Sequence, residues 1–71
     1  MKKLIDTTLN QREKDILDLV SNGKPYETVA SNLGLSLPTI KFYVASARRK
    51  LGAYNIAHAI ALFVKNNTNI P

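Results

Sequence analysis

Three residues, Gly34-Leu35-Ser36, are all that joins two runs that each read as a helix. Pro25 sits where the first run begins, a position proline favours because the amide it lacks would have had no intrahelical partner. Tyr26, Glu27, Val29 and Ala30 carry that run to about Leu33, roughly two and a half turns. Ser36 opens the second run as a good N-cap, its hydroxyl able to accept a first-turn amide hydrogen, and Pro38 is tolerated in that same turn. Ile40, Val44, Ala47 and Leu51 then recur at helical spacing, a single apolar seam suited to packing on a core. Ala30 is small enough for close helix approach, Gly34 turns the chain, and Ile40 locks the second helix onto the first. With helical periods read along the rest of the chain, this pair points to an all-α arrangement built around it.

At 100° per residue the face opposite the seam carries Lys41, Phe42, Ala45, Ser46 and Arg49. An outward aromatic among cations suits contact with something anionic, and the charge of the whole chain agrees. Its net +5 is unevenly placed: all five acids lie in the first 27 residues, where five bases balance them, and from Thr28 onward there are five bases and no acid. Short helix-Gly-helix connections are common among all-α proteins, so the spacing does not identify a function by itself. Joined to the one-sided charge, it reads as a helix-turn-helix whose second helix approaches nucleic acid. The bland alternative is a solvated basic surface with no partner.

The remaining chain supplies two more helices. Residues 1–8 lack a period and are expected to form a flexible arm. Asn10 caps a first helix, over about 10–22, with Glu13 three residues on completing a capping box and Leu9 placed as a hydrophobic staple. Ile16, Leu17 and Val20 form its buried stripe, Glu13, Lys14, Asp15 and Asp18 are expected to face water, and Asn22-Gly23 ends it. The next two helices are placed at about 25–33 and 37–51, and Gly52 stops the latter. Asn55 caps a fourth, about 55–66, whose apolar residues cover more than half its circumference. In a domain this small one face packs inward and the rest stays exposed, which marks an interface; a fully buried core helix is the alternative. Self-association is the expectation, with Ala57, Ala61 and Val64 as the dimer contacts. His58 is expected to be an ordinary surface residue or a rim contact. The domain thus spans 9–66, and 67–71 reads as a frayed tail.

Several classes of function drop away. With no cysteine and one histidine there is no credible metal cluster, and no cofactor is expected. The carboxylates are scattered over a charged helix surface, and neither a phosphate-cradling glycine loop nor a nucleophile elbow occurs, so an enzyme is not expected. No apolar run is long enough to span a bilayer and no signal sequence follows Lys2 and Lys3, leaving a cytoplasmic protein as the expectation.

What remains is recognition of double-stranded DNA. The N-terminal half of the 37–51 helix would approach base edges, with Lys41, Phe42 and Ala45 as base contacts. Lys41 can meet guanine acceptors, and Phe42 and Ala45 a thymine methyl. A contact between Phe42 and the N-terminal arm is the other reading of that residue. Arg48, Arg49 and Lys50 are expected to hold phosphates, with Lys24, Tyr26, Ser36, Thr39 and Tyr43 as further backbone contacts.

Laid out in this way, Leu9-Asn-Gln-Arg-Glu13, Gly23-Lys24, Val29-Ala30, Leu33-Gly34-Leu35-Ser36, Thr39-Ile40-Lys41-Phe42, Arg49-Lys50-Leu51-Gly52, Asn55 and Ala59 closely resemble the LuxR/GerE family of bacterial helix-turn-helix domains. The resemblance runs from Leu9 to about Val64. It implies a four-helix domain that binds pseudo-palindromic promoter DNA as a homodimer through its fourth helix and reads bases from positions matching Lys41, Phe42 and Ala45. RNA polymerase and a LuxR-type paralogue are the further partners in view. Four departures stand out: Asn10 where threonine is usual, Tyr43 where histidine is usual, Ala45 where relatives often carry a polar or basic residue, and Ile56 where arginine is common. Asn55 to Leu62 looks most like the quorum-sensing branch. Most members carry an N-terminal sensor or receiver domain, so this chain reads either as a stand-alone regulator or as the output domain of a longer protein. A second functional reading is an interaction module whose fourth helix titrates a full-length LuxR-type regulator into inactive heterodimers. Peripheral membrane binding lacks an aromatic-anchored amphipathic surface and ranks last.

Overall fold

The computed structural model describes residues 9–67; the expected arm over 1–8 and the tail beyond Asn67 lie outside them. Four helices follow in order: α1 (Gln11–Ser21), α2 (Tyr26–Leu33), α3 (Leu37–Leu51) and α4 (Ile56–Asn67). Each boundary falls within a residue or so of its expected place. The all-α, four-helix expectation holds.

The helix ends have local causes. Asn10 Oδ1 accepts from the Glu13 amide at 2.8 Å while Glu13 Oε1 accepts from the Asn10 amide at 3.0 Å, the capping box foreseen for α1. Pro25 is the N-cap of α2 rather than its first residue. Ser36 Oγ caps α3 by accepting from the Thr39 amide. Gly34, at φ +69°, closes α2: its own amide donates to Ser31 O, and that of Leu35 to Ala30 O. That pair of bonds satisfies carbonyls the helix would leave orphaned, and the left-handed backbone it needs is open to glycine at little cost. Gly52 ends α3 in the same way, through bonds to Arg49 O and Arg48 O.

α3 is the hub. It packs against α1, α2 and α4, and its seam of Ile40, Val44, Ala47 and Leu51 is fully buried. The core divides along that seam. Val44 and Ile40 pack with Ile16, Val29 and Ala30, uniting α1, α2 and the N-terminal half of α3. Ala47 and Leu51 pack with Leu9, Leu17, Ala53, Ala59 and Phe63, uniting the other half with α1 and α4. Truncating so central a side chain as Ile40 to alanine carries a typical cost of about 2–5 kcal/mol.

Three expectations need correction. Glu13 does not face water: it is buried against α3, where Ser46 Oγ and Lys50 Nζ both donate to its carboxylate. Ser46 therefore turns from the outward face towards α1. Leu9 does not act as a staple, because its partner position is the charged Lys14; it enters the core cluster directly. The fourth helix follows the expected pattern. Ala59 and Phe63 are buried, Ile56, Ile60 and Leu62 are partly covered, and Ala57, Ala61 and Val64 are exposed.

Candidate nucleic-acid interface

With its seam committed to the core, α3 presents the remaining arc to solvent. Lys41, Phe42 and Arg49 are exposed there, and Ala45 between them is half-buried. Phe42 is 63% exposed, although it forms a T-shaped pair with the Tyr43 ring at 5.7 Å between centroids. Burying a phenylalanine is worth a few kcal/mol, so one left in water on a well-packed helix contributes little to folding. Neither Lys41 nor Arg49 has a hydrogen bond or an ion pair among the described residues. Donors without internal partners, beside an unburied ring, make a surface suited to an anionic, partly apolar ligand such as a DNA groove.

The polar groups at the start of α3 are already organised. The hydroxyls of Ser36 and Thr39 lie 2.8 Å apart, and the Ser36 hydroxyl also holds the Thr39 amide. Both side chains belong to the cap, at the end of the helix where the macrodipole favours anions. Tyr26 and Tyr43 are half-buried and pack on the same cluster of Ile16, Val29, Ile40 and Val44. Burial pushes the Tyr26 phenol above its usual range. Lys24 is exposed in the turn before α2.

The three cations that end α3 prove unlike one another. Arg48 Nη1 donates to Ala53 O at 2.8 Å and so ties down the turn that leads into α4. Lys50 is exposed, at 34% of its side chain, but its Nζ lies 3.0 Å from Glu13 Oε1. Arg49, between them, is exposed. By sequence all three are expected to hold phosphates; Arg48 has a partner five residues away and Lys50 one 37 residues away, while Arg49 has neither a hydrogen bond nor an ion pair among the described residues.

Two further contacts went unforeseen. His58 Nδ1 accepts from the Tyr54 backbone amide at 3.0 Å, and the two rings stack at 5.2 Å and 18°. The His58 amide in turn donates to Asn55 Oδ1 at 2.8 Å, so Asn55 caps α4 as expected and His58 completes the cap. The spacing Asn55-x-x-His58 was the available signal. The Glu13 network spans 33 and 37 residues to its partners and had no local signal at all.

The sequence profile of the bacterial regulatory proteins of the luxR family matches residues 7–63. The transcriptional activator protein ExpR of Dickeya dadantii is 43% identical over 58 residues, covering 82% of this chain and 23% of its own length. The transcriptional activator protein CarR of Pectobacterium carotovorum is 41% identical over 59 residues, 83% of this chain and 24% of its own. The response regulator RamR of Streptomyces coelicolor is 43% identical over 54 residues, 76% of this chain and 27% of its own. The chain thus spans about a quarter of the length of these relatives.

Proposed function

The chain belongs to the luxR family of bacterial regulatory proteins, and from that premise we propose that it regulates transcription by binding pseudo-palindromic promoter DNA as a homodimer, with α3 in the major groove. The observation that carries the reading is the outer stripe of α3. Lys41, Phe42 and Arg49 stand exposed on one helix whose other face is wholly buried. A protein gains nothing in stability from such a stripe, whereas a helix in the major groove needs one.

In this reading Lys41, Phe42 and Ala45 contact bases. Lys41 offers donors to guanine, and the phenyl ring and the alanine methyl meet thymine methyls. Ser36, Thr39, Tyr26, Tyr43, Lys24 and Arg49 contact the backbone and set the register. Ala57, Ala61 and Val64, one turn apart on the exposed side of α4, meet the same residues of a second copy, so that two reading helices face two half-sites. Activator names among the relatives, such as ExpR and CarR, support a role in activation.

Selection of bound sequences from a random duplex pool, followed by gel shifts of the winner against unrelated DNA, tests this. The expected product is a site with two-fold symmetry whose affinity falls steeply as salt is raised. Tight self-association or pairing with a full-length relative, with no shift of any duplex at low salt, would instead support an interaction module that titrates other regulators.

A further inference from the structure

Glu13 is the buried carboxylate among the described residues, 2% exposed, and DNA reading by the outer face of α3 makes no use of it. Its Oε1 accepts from the Asn10 amide and from Lys50 Nζ, each at 3.0 Å, and its Oε2 from Ser46 Oγ at 2.8 Å. A carboxylate held out of water is tolerated only where its lone pairs are filled and its charge is met. Here the α1 cap fills one site, while a hydroxyl and an ammonium from α3 fill two more. If Lys50 moved to a DNA phosphate, it would leave that charge buried without its cation, so the exchange is unfavourable. Arg48 is engaged with Ala53 O, and Arg49 has neither a hydrogen bond nor an ion pair among the described residues.

We propose that Glu13 is a positioning residue for DNA binding: it retains the ammonium of Lys50, whose side chain is otherwise exposed, as a strut between α1 and α3 and leaves Arg49 as the phosphate ligand of the Arg48-Arg49-Lys50 run. The inference rests on the DNA-binding reading of α3 and goes beyond it, because it turns one of three adjacent cations into the contact and another into the brace.

The salt dependence of binding counts phosphate contacts, at about 0.9 in the slope of log affinity against log salt for each one. On a duplex recovered by selection, which takes two copies of the chain, Arg49→Gln should lower the slope by about 1.8, about 0.9 for each copy. The double variant Glu13→Gln/Lys50→Gln, which leaves the net charge unchanged, should keep the parent slope. A double-variant slope as low as that of Arg49→Gln would make Lys50 a phosphate ligand and overturn the proposal. So would an Arg49→Gln slope equal to the parent's. Since altering the buried Glu13 also risks the fold, the parent protein supplies a second measurement. In proton–nitrogen spectra of the lysine ammonium groups, Lys50 should keep its signal position when the duplex is added. Scalar coupling from Lys50 Nζ to a phosphorus atom would overturn the assignment. A parent that binds no duplex even at low salt would overturn the DNA-binding reading itself, a result distinct from either of these.

Discussion

At the scale of single residues, the buried and the exposed charges carry opposite duties. Burial alone would raise the Glu13 carboxyl, but the Asn10 amide, the Lys50 ammonium and the Ser46 hydroxyl outweigh it and hold the group below its ordinary value of 4.5. A carboxyl whose folded value is depressed stabilises the fold above its unfolded value, and that contribution is lost as the pH falls through the folded one. Urea titrations of parent and Glu13→Gln should therefore differ near neutral pH, by about 1–3 kcal/mol in favour of the parent, and converge below pH 4.5. A difference that stayed constant into acid would show that the charge of Glu13 plays no part. The exposed side chains of α3 should behave in the reverse manner. Phe42→Ala and Lys41→Ala should leave folding within about 0.5 kcal/mol of the parent. Lys41→Ala should nevertheless weaken binding to the selected duplex by about 1–3 kcal/mol for each copy bound and relax preference at the same position of both half-sites. Fluorescence anisotropy on matched and singly substituted duplexes gives both quantities.

At the scale of the element, caps decide where helices stop, and the turn between α2 and α3 depends on one backbone conformation. A Cβ added to Gly34 would meet nothing within 4 Å, so crowding is not the reason for glycine there. Its φ of +69° is the reason. Gly34→Ala should cost about 1–2 kcal/mol through conformation alone, and Gly34→Asn less, because asparagine tolerates the left-handed region better. Midpoints of urea unfolding rank the three proteins; an alanine variant as stable as the parent would mean that the turn rearranges. These ends were legible beforehand, since Asn10, Ser36, Gly34, Gly52 and Asn55 act on groups within five residues of themselves. The Tyr54–His58 stack is equally local and was missed, because histidine at that spacing has weaker capping chemistry than asparagine or serine.

In the proposed reading the whole molecule divides into a face of α3 that reads and a face of α4 that pairs. α4 gives Ala59 and Phe63 to the core and leaves Ala57, Ala61 and Val64 outside. Placing a charge on that stripe should separate pairing from folding. Ala61→Glu is expected to shift sedimentation from dimer towards monomer while unfolding stays within about 0.5 kcal/mol of the parent at concentrations where both are monomeric. The same variant should lose affinity for a two-fold site far more than for a single half-site, because a linked second copy binds at high effective concentration. Equal losses on both duplexes would place the stripe outside the dimer contact.

Periodicity and caps determined four helices, their limits and the seam of α3, because these depend on residues within a turn or two of one another. The resemblance to the luxR family lay in the same local motifs, and the family match over residues 7–63 agrees with it. Which cation of the Arg48-Arg49-Lys50 run stays available could not be read there. A helix wheel assigns direction, but the fate of a charge depends on what lies opposite, and for Lys50 that is Glu13, 37 residues away. Only the packing of α1 against α3 brings the two together. That contact turned an apparently solvated carboxylate into the one that braces the helix carrying Lys41, Phe42 and Arg49.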